Sequence, residues 1–204
     1  HHRWKRQTAR LATQGLTGKA LDIATGTGDL AFALVRQPGV EHAVGVDLLP
    51  DMLALAQVKS RSQYIDQHVT LITGDALTLP FPDNAFACAT AGFSLRNMPD
   101  LPLALSEMAR VVRPGGRITT LELTPLSVGI KSRFFRLYFH RLVPLMGQLI
   151  AGDRSAYTYL PQSVDYFLEA SRLSDLFRRV GLVDVGHVAL GFGTVALHYG
   201  TKPD

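Results

Sequence analysis

Short apolar runs and amphipathic stretches alternate along most of the chain, and their periods predict its elements. Residues 20–24 (ALDIA) predict a buried strand, followed by a glycine-containing turn and a helix over about 29–36. Residues 42–47 (HAVGVD) predict a second strand, and 51–59 a helix with Pro50 just before it. Residues 69–73 predict a third strand and 85–91, made of small residues, a fourth. A helix over 103–112 stops at Pro114-Gly115-Gly116, and 117–123 form the fifth strand. The rhythm then changes. Residues 131–150 predict a longer helical stretch and 152–168 an irregular, tyrosine-rich one. A last helix over 171–180 precedes two strands, 183–189 and 195–201. Five βα units ending in an antiparallel pair predict one α/β domain over 1–204. Its architecture is Rossmann-like, a seven-stranded, mostly parallel open sheet with helices on both faces. Ligands of such sheets lie beyond the carboxyl ends of the strands, so the insertion over 127–170 stands where it would cover a substrate.

Composition changes this picture little. Hydrophobic residues at 47% and charged residues at 19% of the 204 argue for a packed core and against a disordered chain or a coiled coil. No apolar run reaches the roughly 20 residues that cross a bilayer. No signal-peptide pattern opens the sequence, and the lone thiol, Cys88, suits a reducing cytosol. The net charge of +4 is too small to point to nucleic acid, and no nucleic-acid partner is expected. No His, Cys and carboxylate cluster has metal-ligand spacing, so no metal is expected either.

The strongest local signal is Leu21-Asp22-Ile23-Ala24-Thr25-Gly26-Thr27-Gly28-Asp29. Alternate glycines after a buried strand let backbone approach a ligand closely, although a plain tight βα turn has the same look. A dinucleotide fold would require G-x-G-x-x-G to seat a pyrophosphate. Here Ala24 replaces the first glycine, and Asp29 opens the helix. That carboxylate would oppose a pyrophosphate but suit the ammonium of a methionine moiety. Asp47, about 20 residues on at the end of strand two, is an acceptor for ribose hydroxyls. Asp75, in Gly74-Asp75-Ala76 after strand three, can accept from an adenine amino group; alone, it would read as a turn or cap residue. Three such features at the ends of three successive strands match the S-adenosylmethionine site of methyltransferases.

Further motifs narrow the match. Leu79-Pro80-Phe81-Pro82-Asp83, Gly92-Phe93-Ser94-Leu95-Arg96-Asn97 and Arg110-Val111-Val112-Arg113-Pro114-Gly115-Gly116 resemble the ubiquinone/menaquinone biosynthesis C-methyltransferase family. The likeness runs from His1 to about Lys202 and includes His1-His2-Arg3-Trp4-Lys5-Arg6, Asp153, Tyr157, Tyr159, Leu160 and the ending Val195-Ala196-Leu197-His198-Tyr199-Gly200. Members usually carry more residues ahead of the position of His1, among them a Tyr-Asp segment. Gly92 stands where some members have a serine, so a contact there comes from backbone.

The resemblance implies a class I methyltransferase that moves a methyl from S-adenosylmethionine to a ring carbon of a polyprenylated hydroquinone. It implies cofactor contacts from Asp22, Thr25, Gly26, Thr27, Gly28, Asp47, Leu48, Met52, Asp75, Ala76 and Gly92. The ring carbon becomes nucleophilic when a neighbouring phenol, of pKa about 10, loses its proton. Arg96 is the candidate for stabilising the phenolate, a surface ion pair being the alternative, and Asn97 for orienting a hydroxyl or water. Asp153, as base or water holder or else a helix cap, and Tyr157 are the candidates that complete the substrate shell. His140 is a further candidate base, a structural or surface role being the simpler reading, and Cys88 reads as a small core residue. Residues 131–150, apolar and aromatic with Arg133, Arg136 and His140 on one face, read either as a buried helix with a basic solvent edge or as a contact for a prenyl tail or the inner membrane surface. The second implies peripheral membrane association. The ring type stays open, as does the oligomeric state, a homodimer among the options. So does a small-molecule or phospholipid O- or N-methyltransferase on the same scaffold; a non-catalytic binding subunit and a dehydrogenase fit the motifs less well.

Overall fold

The computed structural model describes residues 2–125 and 167–204. The insertion over 127–170 therefore lies mostly outside the described residues, with Asp153, Tyr157, Tyr159 and His140. The seven strands are β1 (Gly18–Ile23), β2 (Val40–Asp47), β3 (Val69–Thr73), β4 (Phe86–Gly92), β5 (Val112–Leu123), β6 (Val183–Leu190) and β7 (Val195–Thr201). They form one sheet in the order β3-β2-β1-β4-β5-β7-β6. β1 to β5 pair in parallel, and β7 runs antiparallel between β5 and β6. The expected α/β architecture is present. The order reverses between β1 and β4, which puts the switch point, and the crevice above it, beside the glycine turn.

Alternation along the central strands feeds two cores, because successive side chains of a strand point to opposite faces. Leu21, Ile23, Val44 and Val46 pack with Leu105, Met108 and Val111 of α4 (Leu101–Val111) and with Leu173 and Phe177 of α5 (Ala170–Arg179). On the other face Ala20, Ala43 and Cys88 meet Ala9 and Ala12 of α1 (His2–Thr13), Leu30 and Leu34 of α2 (Asp29–Val35) and Ala56 of α3 (Pro50–Ser62). Cys88 is buried there as a small core residue, as expected, and burial pushes its thiol up to about 12. The second core is built largely from alanine, and small side chains let helix and sheet backbones approach closely.

Three elements differ from the sequence reading. α1 has no predicted counterpart; its buried residues are Thr8, Ala9, Ala12 and Thr13, too small or too polar to show as an apolar period. Its C-terminal end is met by cations from β5. The guanidinium of Arg117 donates to the carbonyls of Leu11 and Gln14, and that of Arg113 to the carbonyl of Thr17. α4 begins at Leu101, capped by the Asp100 carboxylate, which accepts from the Leu103 amide at 2.9 Å. Pro114-Gly115-Gly116 ends no helix directly but bulges a long β5, where the pairing with β4 shifts between Phe86 and Cys88. At Gly116 a Cβ would stand 2.6 Å from the Ala87 carbonyl oxygen, so only glycine lets the two strands close.

α5 is fastened to β7 through His198, whose Nε2 donates to the Ala170 carbonyl at 2.8 Å. Its other ring nitrogen, Nδ1, is buried without a partner, and the ring lies 5.2 Å from that of His187. Burial, with the neighbouring His187, pushes His198 down to about 4 from an ordinary 6.5. The unfolded chain therefore binds more protons than the folded one between those values, and stability falls as pH drops from about 6.5 toward 4. His198→Gln, which cannot titrate, is expected to show a smaller loss of melting temperature over that window in a thermal denaturation series. The difference corresponds to on the order of 3 kcal/mol.

Candidate active site

The turn after β1 is built over a carboxylate. Asp22 is fully buried and accepts from the Thr25 hydroxyl at 2.6 Å, the Thr90 hydroxyl at 2.8 Å and the Ala31 amide at 3.1 Å. Burial pushes its carboxyl up to about 6, against the opposing effect of these donors and of Lys5. Asp22 lies beneath the turn and holds it in shape. The turn then passes through left-handed backbone at Ala24, Gly26 and Gly28, with φ of 50°, 56° and 83°. Gly28 caps α2, and a Cβ there would run into the ring of Phe32. Thr25 is tied to β2 through its amide, which donates to the Val46 carbonyl at 3.0 Å.

Asp47 ends β2 at 8% exposure. One carboxylate oxygen accepts from the Gly26 amide at 2.7 Å and the other from the Leu49 amide at 2.9 Å. The turns after β1 and β2 are thus joined at one carboxylate that keeps lone pairs for further donors. Beside it Leu48 and Met52 expose apolar surface, 64% and 38% respectively. Asp75 is exposed after β3 and accepts from the Leu77 amide at 2.9 Å in a tight turn, with Ala76 packed at the core edge. Gly92 ends β4, and a Cβ on it would press on Leu30 at 3.2 Å.

Asp29 does something other than expected. Its carboxylate is held by both Lys5 of α1 and Lys59 of α3, so it ties three helices together and is engaged by lysines in place of a ligand's ammonium. Burial opposes its ionisation, but Lys59 and Lys5 prevail and hold the carboxyl below its usual range. This leaves hydroxyl and amine acceptors along the crevice, Asp47 and Asp75, with both lysines near the turn neutralised. That donor and acceptor set fits a nucleoside carrying a sulfonium cation and fits a pyrophosphate poorly.

The turn after β4 carries the second cluster. The Arg96 side chain is partly buried, 10% exposed. Its Nη1 donates to the Phe93 carbonyl at 2.6 Å and to Glu122 Oε1 at 2.7 Å. Glu122, with a side chain 1% exposed, also accepts from its neighbour's amide, Leu123, at 2.8 Å. Burial raises the Glu122 carboxyl above its ordinary range, with Arg96 acting against the rise. Phe93 adopts φ of 60°, a strained conformation for an aromatic residue, and its amide donates to the Leu121 carbonyl at 2.7 Å. Arg96 Nε and Ser94 Oγ are buried with no partner. Asn97 is exposed on the short 3-10 turn Leu95–Asn97. Arg96 lines a cleft of about 710 Å³ whose walls include Leu95, Met98, Leu101, Phe167 and Leu168. Glu122 was not singled out from sequence. The available signal was a lone carboxylate near the carboxyl end of the otherwise apolar and threonine-rich fifth strand.

Comparison with known proteins agrees with this geometry. The model of the ubiE/COQ5 methyltransferase family matches residues 1–202. A demethylmenaquinone methyltransferase of Thermus thermophilus is 42% identical over 98% of this chain and 90% of its own length. A ubiquinone/menaquinone biosynthesis C-methyltransferase UbiE of Desulfotalea psychrophila is 40% identical over 98% of this chain and 80% of its own. Among solved structures, the [4+2]-cyclase SpnF superposes with a TM-score of 0.72 at 22% identity, covering 99% of this chain and 81% of that one. A phosphoethanolamine N-methyltransferase 2 of Haemonchus contortus in complex with S-adenosyl-L-methionine does so with 0.71 at 15%, covering 99% and 53%. These last two establish the fold alone. With a buried turn brace, two carboxylates along the crevice and a family match over nearly its whole length, the chain belongs to the ubiE/COQ5 methyltransferase family and is an S-adenosylmethionine-dependent methyltransferase.

Proposed function

We propose that this chain methylates a ring carbon of a polyprenylated hydroquinone, with demethylmenaquinol as the acceptor that its relatives' names support. The observation that carries this reading is Arg96, held by Glu122 at the wall of a cleft lined by apolar residues such as Met98 and Phe167 and by the charged Asp100, Arg172, Asp175 and Arg179. S-adenosylmethionine, when bound, supplies an electrophilic sulfonium methyl. Asp47 would accept from the ribose hydroxyls, Leu48 and Met52 would cover the adenine, and Asp75 would accept from its amino group. Thr25, Gly26, Thr27 and Gly28 offer backbone to the methionine end, and Gly92 bounds it from β4. Asp22 acts from below by shaping the turn.

On the acceptor side Arg96 lowers the cost of a phenolate, whose parent phenol has a pKa of about 10. With the phenol proton given up to water and the oxygen held as phenolate by Arg96, the adjacent ring carbon would be the nucleophile toward the methyl that S-adenosylmethionine supplies. Its own proton passes to water as aromaticity is restored. Asn97 orients the hydroxyl or a water, and Asp153 and Tyr157, outside the described residues, complete the substrate shell. No described helix is long and apolar enough to cross a membrane. Because a prenylated substrate resides in lipid, the enzyme meets it at the inner membrane face, with 131–150 as the expected contact.

Four outcomes test this reading. Asp47→Ala is expected to weaken S-adenosylmethionine binding by about 10- to 100-fold in calorimetry, the scale of hydrogen bonds to a charged group. Product mass analysis after incubation with demethylmenaquinol is expected to show one added methyl on carbon. Arg96→Gln should lower that kcat by about 100-fold while cofactor affinity stays level. Finally, the protein should co-sediment with anionic liposomes; its absence from the pellet would remove the membrane part of the proposal.

A further inference from the structure

We infer that Glu122 is a positioning residue for Arg96, gripping one nitrogen of the guanidinium so that the group is held in place at the cleft wall, where it would meet the substrate's oxygen. This rests on the reading of Arg96 as the group that meets the quinol.

The contact is lopsided. An arginine and a carboxylate that pair for their own sake commonly meet fork to fork, through two parallel hydrogen bonds. Here a single nitrogen, Nη1, takes both acceptors, Glu122 Oε1 at 2.7 Å and the Phe93 carbonyl at 2.6 Å. Nε is left buried with no acceptor. Arg96 lines that cleft and Glu122 does not. The carboxylate, 1% exposed, acts on the substrate only through the guanidinium.

The carboxylate is itself well placed to hold a position. Its Oε1 also accepts from the Leu123 amide at 2.8 Å, and Oε2 lies 3.4 Å from the Arg96 amide. It is therefore referenced to the backbone of β5 and to the turn after β4 at once. Stability alone is a weak reason for such a pair, because burying both charges costs about what their attraction returns. Placement is the stronger one. A displacement of about 1 Å in a group that contacts the reacting atoms can cost on the order of 100-fold in rate.

The experiment compares steady-state methylation of demethylmenaquinol by the full chain and its variants, with cofactor affinity measured by calorimetry. Glu122→Ala is expected to lower kcat by about 10- to 100-fold, while cofactor affinity stays within about twofold. Glu122→Gln keeps an acceptor for Nη1 and should recover most of that loss. The double variant Arg96→Gln/Glu122→Gln should be no slower than Arg96→Gln alone, since Glu122 acts through Arg96. Glu122→Met fills the same volume without an acceptor and serves if alanine leaves too large a cavity. An unchanged kcat in Glu122→Ala or Glu122→Met overturns the assignment, as does a double variant whose loss is the product of the two single losses. Rapid turnover by Arg96→Gln would instead remove the role of Arg96, and this inference with it. A slow Arg96→Gln beside a fast Glu122→Ala removes the role of Glu122 alone.

Discussion

A carboxylate sealed from water must find donors inside the protein, and Asp22 takes them from three directions. One comes from the turn that follows it, one from the first turn of α2 and one from the neighbouring strand β4. Each bond aligns a different element on the same group. The result is a turn whose backbone passes through left-handed conformations at Ala24, Gly26 and Gly28, and whose amide at Gly26 reaches Asp47 across the gap to β2. The cofactor crevice is thus a consequence of how one buried acid is satisfied. Its stability cost is offset by the order it imposes on the strands that border the switch point.

The second buried acid works differently. Glu122 lies on β5, on the sheet face that carries α4 and α5, and its main partner is a full positive charge instead of hydroxyls and amides. Asp22 organises the backbone of the turn after β1, whereas Glu122 organises a side chain at the wall of the cleft. The two acids stand on opposite faces of one sheet, near the same carboxyl ends. Between them runs β4, whose small residues Ala89, Thr90 and Ala91 are fully packed, so both acids are held on a closed, rigid part of the sheet. The fold alone leaves the acceptor unspecified, as the unrelated chemistry named for its structural neighbours makes plain.

Much of this was written in local pattern. Seven strands, four of the five described helices and the acids at the ends of β1, β2 and β3 follow from apolar periodicity and from turn chemistry, because strand burial imposes continuous apolar runs and close backbone approach demands glycine. The family follows from short motifs around Arg96 and Pro114-Gly115-Gly116. Tertiary structure decided the rest, since partners distant in sequence leave no local trace. Asp29 reads as a ligand for an ammonium until Lys5 and Lys59 converge on it from two other helices. Asp22 reads as part of the cofactor turn, but only the fold shows it buried beneath that turn with donors from three elements. α1 is silent in sequence because it docks through threonine and alanine, and Glu122 is silent because its meaning lies 26 residues away, in Arg96. Periodicity encodes which side of an element is buried; it does not encode which charges will meet once the elements are packed.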